Sequence, residues 1–259
     1  YVFPNGRRVH TTYWRCCKSS GAMALEELPE VAVQLTGERE ISVQLHGPGT
    51  ATLPLPDGEV RLEQITRYPF DGEVSLRVWP ARPVEFTLRV RVPSWALGAS
   101  ARLNGSALDA AVEPGTYLAC TRAWQAGDEL TLNFPMQVQL HRRASRNVQE
   151  SRAPDGSPVR QEVLHFDYAA VTRGPLVYAT ELIDGFKTEE SLRLPEQPLS
   201  QWLQVVDDDA LRMSPLGRDA LTFQPYYRAG GREHGAWRLT WMSVAPPRTL
   251  PFTEEPPQD

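Results

Sequence analysis

Residues 84–92, Val84-Glu85-Phe86-Thr87-Leu88-Arg89-Val90-Arg91-Val92, decide the fold class of this chain. Apolar residues occupy every second position of the stretch, and polar or charged residues stand between them. Successive side chains of a β-strand point to opposite faces, so a period of two predicts a strand with one buried face and one solvated face. The stretch is the clearest strand in the chain, and such a strand needs a sheet around it.

Similar short runs flank this strand on both sides, and the first of them begins at Val31. Turn residues separate the runs at Gly47-Pro48-Gly49, Pro56-Asp57-Gly58, Asp71-Gly72 and Asn104-Gly105. The last of these is a strong signal for a two-residue hairpin, and further strands are predicted over residues 117–122 and 129–134. Short strands at this spacing predict a β-sandwich over residues 31–140.

A second strand-rich region follows over residues 141–245. Its predicted strands are residues 163–168, 176–180, 203–206, 221–226 and 237–242. Residues 142–160 are polar and predict an exposed loop, residues 184–200 predict an irregular connection, and the tail 246–259, rich in proline and acidic residues, predicts disorder. The fold class is therefore all-β, with two consecutive β-sandwich (jelly-roll-like) domains.

Residues 1–30 have a different pattern. Ser19-Ser20-Gly21 reads as the cap of a short helix over residues 22–28, which Pro29 would end. The adjacent cysteines Cys16 and Cys17 would then lie just ahead of the helix N-terminus, where the backbone dipole favours a thiolate over a thiol.

The cysteine pair allows more than one interpretation. Adjacent cysteines rarely close on each other, so Cys16 and Cys17 would be soft zinc ligands, or one ligand and one reactive thiolate. Burial as small hydrophobic residues is the structural alternative. His10 is the nearby additional ligand, at a spacing that matches no common zinc finger or ribbon. Trp14 could stack on a sugar ring or pack against the nearest helix. Arg15 could bind a sugar hydroxyl, stabilise a thiolate or be solvated.

Other candidate chemistry is sparse. The run Asp207-Asp208-Asp209 lacks the spacing of a calcium loop and is interpreted as a solvated loop. Isolated histidines are interpreted as structural or exposed, and Cys120, inside an alternating run, as a core residue; these histidines are His46, His165 and His234. No Gly-rich phosphate loop, GxSxG or HExxH sequence is present.

Composition excludes some classes of function. With 27 basic and 32 acidic residues and no basic block, the chain of 259 residues is not expected to bind nucleic acid. No apolar run is long enough to span a bilayer, so no membrane partner is expected. Three cysteines do not make a disulfide framework, which favours a reducing, cytoplasmic setting.

Several motifs, in order, resemble the C-terminal half of the β-L-arabinofuranosidase family of glycoside hydrolases, family 127. They are YWRCCKSSGAMALEELPE (13–30), LHGPGTATLPL (45–55), RYPFDGEVSLRV (67–78), LRVRVPSWA (88–96), WQAGDELTLNFPM (124–136) and RGPLVYATE (173–181). The resemblance implies an (α/α)6 barrel that carries the active site, followed by two β-sandwich domains. Residues 1–30 would be a remnant of that barrel.

The resemblance also implies the chemistry. By motif position, Cys16 takes the role of nucleophile in a retaining mechanism, and Cys16 and Cys17 take the role of zinc ligands. The substrate of the parent enzyme would be an arabinofuranoside-type oligosaccharide. The barrel, its further Glu and Cys ligands and its acid/base Glu are expected before Tyr1, so this chain alone is expected to be inactive and to bind no zinc by itself.

Two hypotheses follow. In the first, the chain is part of a glycoside hydrolase in which the Cys16 thiolate attacks the anomeric carbon. In the second, it is a noncatalytic β-sandwich module that binds carbohydrate or forms a homodimer through its sandwich domains.

Overall fold

The computed structural model describes residues 15–149, 153–157, 162–181, 191–206, 209–228, 238–246 and 248–251. The described residues form 19 strands, two α-helices and one 3-10 turn, which confirms the all-β class. The chain divides into two compact units. The first contains the described residues up to Val138 with Arg173–Leu176, and the second contains Gln139–Thr172 and the described residues from Val177 onward.

The first unit contains two sheets. The four-stranded sheet has the order β1-β2-β6-β9, with β2 parallel to β6, and the six-stranded sheet has the order β3-β4-β5-β10-β7-β8. The strands are β1 Val33–Gly37, β2 Glu40–Val43, β3 Gly49–Leu55, β4 Gly58–Thr66, β5 Glu73–Pro80, β6 Val84–Arg91, β7 Ser100–Leu103, β8 Ser106–Ala107, β9 Tyr117–Trp124 and β10 Asp128–Asn133.

One core of buried side chains joins the two sheets of this unit. Strand β6 contributes the apolar set that the period of two predicts, with Phe86 and Leu88 almost fully buried, while Leu76 of β5 comes from the facing sheet. Trp124 at the end of β9 is buried too, and its indole N–H donates to the Phe86 carbonyl at 3.0 Å. Alternation and burial therefore agree along this strand.

The hairpin predicted at Asn104-Gly105 is confirmed. Leu103 of β7 pairs with Ser106 of β8, and the two residues between them have φ angles of 50° and 81°. A type I′ turn requires positive φ at both central positions.

The predicted limits of the N-terminal helix are wrong. Helix α1 spans Arg15–Ala32 and contains Pro29, so it begins before Cys16 and includes Val31, where the sequence pattern predicts the start of the first strand. The end of the helix is fixed by the segment that follows strand β2. The Ala32 carbonyl accepts the backbone N–H groups of Gln44 at 2.9 Å and Leu45 at 3.3 Å.

The second unit is built on a nine-stranded sheet. Its main order is β11-β12-β13-β16-β15-β14, with β17 paired to β13 and with β18 and β19 paired to β12. The elements are β11 Val138–Gln149, β12 Glu162–Arg173, β13 Leu176–Glu181, α2 Leu199–Trp202, β14 Leu203–Val205, β15 Leu211–Met213, β16 Leu221–Pro225, a 3-10 turn Tyr226–Arg228, β17 Arg238–Leu239, β18 Trp241–Ser243 and β19 Arg248–Pro251.

Two expectations for this unit are wrong. The first part of the predicted loop 142–160 continues strand β11, which is stabilised by pairing with β12 despite its polar sequence. The predicted disordered tail contains β19, in which Leu250 pairs with Val163 of β12. Residues 252–259 of that tail lie outside the described residues. Over the described ranges, no helix is long and apolar enough to cross a membrane.

Candidate functional site

The cysteine pair lies in the first turn of α1, not ahead of the helix as expected. Helix α1 begins at Arg15, so Cys16 and Cys17 are its second and third residues. Backbone N–H groups of a first helical turn have no partner within the helix, and their dipole favours an anion nearby. The electrostatic argument for a thiolate therefore applies within this turn. The side chains of residues 15–18 lie outside the described part of the structure.

The described side chains of α1 have little packing around them. Residues 19–31 are all exposed, among them Met23 at 59% and Leu25 at 69%. The C-terminal end of α1 borders the sandwich, where Leu28, Pro29 and Ala32 form one side of a groove of about 480 Å³. Leu28 lies eleven residues beyond Cys17, which is about 16 Å along a helix axis. This groove is thus distant from the cysteine pair.

His46 lies in the opposite side of that groove as a structural residue. Its Nε2 is 2.8 Å from the Arg91 carbonyl, so Nε2 carries the proton, and its ring contacts Tyr68 and Phe134 with centroids 5.5 Å and 5.1 Å away. Burial lowers the pKa of His46 to about 4. The imidazole is therefore neutral at pH 7, and within the described structure its buried Nδ1 has no hydrogen-bond partner. Such a histidine does not act as a general acid near neutrality.

The remaining candidates are structural or lie elsewhere. Cys120 of β9 is only 8% exposed, and burial raises the pKa of its thiol, as expected of a core residue. His165 is half-buried on β12. Asp209 forms an ion pair with Arg228, and its side chain is 18% exposed. Several residues considered from the sequence lie outside the described residues, namely His10, Trp14, Asp207, Asp208 and His234.

The cysteine pair offers two sulfur donors to a zinc ion. Thiolates are donors that zinc prefers, but two of them fill half of a tetrahedral site. Across the ranges that the structure describes, no group of three or more His, Cys, Asp or Glu side chains could hold a metal ion. Two thiolates at these positions would supply half of such a site.

A pocket of the second unit was missed from the sequence. It has a volume of about 570 Å³, and we call it the α2 pocket; it is lined by Leu140, Arg142, Leu194, Pro195, Glu196, Gln197, Leu199, Trp202 and Val244. The indole N–H of Trp202 donates to the Gln197 carbonyl at 3.0 Å. The pocket unites three separate stretches, so no single motif marks it. In the sequence, the mixture of polar and apolar residues in Leu194-Pro195-Glu196-Gln197 is a weak local indication of a binding surface.

Both units match domains of one enzyme family. The family model of the "Beta-L-arabinofuranosidase, GH127 middle domain" matches residues 40–136. The family model of the "Glycoside hydrolase family 127 C-terminal domain" matches residues 162–243. The first match covers most of the sandwich of the first unit, and the second begins at the first residue of β12 and ends at the last residue of β18.

Individual relatives agree with these matches. The chain is 32% identical over 213 residues to a non-reducing end β-L-arabinofuranosidase of Bifidobacterium longum subsp. longum, an alignment that covers 69% of this chain and 30% of the relative. A crystal structure of a GH127 β-L-arabinofuranosidase from Geobacillus stearothermophilus T6 aligns with a TM-score of 0.63 at 24% identity, over 89% of this chain and 37% of that one. A GH127 β-arabinofuranosidase aligns with a TM-score of 0.65 at 22% identity, over 90% and 39%. The structural matches support the fold. This chain spans well under half the length of each of these relatives.

Proposed function

Because this chain belongs to glycoside hydrolase family 127 and comprises its middle and C-terminal domains, we propose that it is the C-terminal β-sandwich part of a β-L-arabinofuranosidase-like glycoside hydrolase. In the complete enzyme, Cys16 would be the nucleophile, and Cys16 and Cys17 would be zinc ligands. The observation that carries the proposal is the position of the two cysteines in the first turn of the helix that leads directly into the sandwich of the middle domain.

The reaction assigns one step to Cys16. Its thiolate would attack the anomeric carbon of the arabinofuranoside, so that the S–C bond forms as the bond to the leaving oxygen breaks. The leaving oxygen would take a proton from a general acid of the complete enzyme. Water would then displace the sulfur and give a proton back to the conjugate base of that acid, which restores the thiolate and gives overall retention of configuration.

The cysteine must be ionised for this step. An ordinary cysteine has a pKa near 8.5, so it is only a few per cent thiolate at pH 7. A zinc ion, when bound, would hold the coordinated sulfur as a thiolate. The first turn of α1 adds a smaller contribution of the same sign, because its free N–H groups favour negative charge.

Exposure of α1 supports a larger active site around the cysteines. An isolated helix of this length is marginal in water, and helices are mostly stabilised by packing of one face. Every residue from 19 to 31 is exposed in this chain. The helix therefore has free surface on which further ligands and an acid/base residue of the complete enzyme could be arranged.

Hydrolysis of an aryl β-L-arabinofuranoside, with zinc and reductant present, tests the proposal. We expect turnover by the polypeptide of the complete reading frame that contains this chain, and none by this chain alone, because general acid catalysis is typically worth about a hundred- to ten-thousand-fold. In the complete polypeptide, Cys16→Ser should abolish turnover, and Cys17→Ser should weaken it strongly. Cys120→Ala is the matched control, because that cysteine lies in the sandwich core.

Two outcomes would contradict the proposal. Turnover by this chain alone that Cys16→Ser abolishes would show that it holds a complete active site. Full turnover by Cys16→Ser in the complete polypeptide would remove Cys16 as the nucleophile.

A further inference from the structure

The α2 pocket is a concave site that the proposed reaction does not use. Its volume of about 570 Å³ lies within the range of about 300–1,000 Å³ that is usual for small-molecule sites. It is formed wholly within the second unit, by the start of β11, the segment before α2, Trp202 and Val244. All of its described lining residues thus belong to one compact unit.

Two opposite charges in this pocket are available to a ligand. Arg142 and Glu196 are both exposed, and over the described ranges neither takes part in an ion pair or a side-chain hydrogen bond. A guanidinium only donates hydrogen bonds, and a carboxylate only accepts them. A ligand that satisfies both must combine acceptors and donors without a net charge of its own. Hydroxyl groups do this, because each can donate and accept.

Apart from Gln197, the other residues that line the pocket are apolar. Leu140, Leu194 and Val244 present aliphatic side chains, and Trp202 is only 6% exposed. Because the indole N–H is already bonded to the Gln197 carbonyl, Trp202 offers the pocket carbon surface rather than a donor. Apolar surface beside polar groups is complementary to a sugar, because a sugar ring carries both C–H groups and hydroxyls.

We propose that the α2 pocket binds a neutral saccharide, with its hydroxyls on Arg142 and Glu196 and its C–H face on the apolar lining. A charged sugar fits less well, because its charge would attract one of the two side chains and repel the other. The choice of a pentose as the first probe rests on the proposed function, whereas the preference for a neutral polyol rests on the pocket alone. The site would hold a glycan and take no part in bond cleavage.

Binding to the whole chain can be followed by NMR. The isotope-labelled chain is titrated with methyl β-L-arabinofuranoside and with a neutral arabinose disaccharide. We expect saturable shifts of the Trp202 indole N–H and Gln197 amide signals, with a dissociation constant in the millimolar range. Arg142→Ala and Glu196→Ala should each weaken binding about tenfold, because each removes hydrogen bonds to a charged group. Arg212→Ala, at an exposed arginine of β15 outside the pocket, is the matched control and should bind as the unaltered chain.

The outcomes separate this inference from the proposed function. Cys16→Ser should keep the full affinity for the saccharide, so a failure of the nucleophile assignment leaves the pocket unaffected. Absence of saturable shifts would overturn the inference, as would unaltered affinity in both Arg142→Ala and Glu196→Ala variants with native unfolding midpoints. Tighter binding of glucuronate or of protonated glucosamine than of the neutral sugars would overturn it too.

Discussion

Gly72 lies at a close approach of two backbones. A Cβ atom added to it would lie 1.8 Å from the carbonyl oxygen of Phe134, while the Gly72 carbonyl accepts the Phe134 N–H at 2.9 Å. This contact extends the pairing of β5 with β10, in which Glu73 faces Asn133. The backbone must move to admit any side chain at this position.

We therefore expect Gly72→Ala to lower the free energy of unfolding by about 2–3 kcal/mol, as overpacking does in cores. Urea denaturation measures the change. Gly49→Ala is the matched control, because no atom lies within 4 Å of the added Cβ there, and its unfolding midpoint should stay close to that of the unaltered chain. Equal midpoints for the two variants would contradict the close approach.

His46 should make stability depend on pH. Burial lowers its folded-state pKa to about 4, against about 6.5 in the unfolded chain, so the unfolded chain binds more protons between these values. The contribution is fully present above pH 6.5 and is lost as pH falls toward 4, by about 2–3 kcal/mol. Urea denaturation at several pH values should show a flatter profile for His46→Gln in this window. Parallel profiles for the two proteins would contradict the assignment.

At the scale of elements, α1 has less packing around it than strand β6. Its residues 19–31 are exposed, whereas alternate residues of β6 are buried. Helices without packing are marginal in water, so its amide hydrogens should exchange with solvent much faster than those of β6. Hydrogen exchange followed by mass spectrometry measures this, and equal protection of α1 and β6 would contradict the expectation.

Pro29 should weaken α1 from within. A proline inside a helix costs about 3 kcal/mol relative to alanine, because it removes a hydrogen bond and its ring collides with the preceding turn. Pro29→Ala should therefore slow amide exchange in α1 and leave β6 unchanged. Glu30→Ala is the matched control at the neighbouring exposed position, and an equal effect of both variants would show that the proline is not the cause.

Asp128 joins two turns of the first unit. Its carboxylate accepts the Asn104 side-chain amide and the Gln125 backbone N–H, each at 2.8 Å, and Arg122 lies 3.6 Å away. Burial works against ionisation, but these hydrogen bonds and the Arg122 charge outweigh it and lower the pKa of Asp128. Its stabilisation is therefore present above the ordinary pKa and is lost as pH falls through the lowered one.

Asp128→Ala should reduce the free energy of unfolding by about 1–3 kcal/mol, because two donors lose their partner. Combining it with Asn104→Ala should cost less than the sum of the two single changes, since both remove the same hydrogen bond. Urea denaturation of the four proteins gives the coupling. Strict additivity would show that the bond contributes nothing.

At the scale of the whole chain, zinc should stabilise the fold little. Cys16 and Cys17 supply at most two of four ligands, and the described residues hold no group of three candidate ligands. Tight binding to the folded state would raise the unfolding midpoint, whereas a half-complete site binds weakly. Urea denaturation of the reduced chain should therefore give the same midpoint with zinc or with a chelator. A large stabilisation by zinc that Cys16→Ser removes would contradict this.

The preferences of residues that are close along the chain determined several features of the fold. The period of two in residues 84–92 predicts strand β6 and its buried face, and Asn104-Gly105 predicts the hairpin of β7 and β8. Both patterns act between residues that are close along the chain, so they are readable without a structure. The motifs of the cysteine pair and the strands also sufficed to identify the family.

Tertiary contacts decided the rest. Helix α1 continues through Pro29 and ends at Ala32, whose carbonyl bonds to the start of a distant loop. Polar β11 and the short β19 are strands because β12 offers each of them a partner for its backbone groups. The α2 pocket unites Arg142 with Glu196, more than fifty positions apart in sequence. A sequence pattern reports what neighbouring residues prefer, whereas these features depend on partners that folding brings from far along the chain.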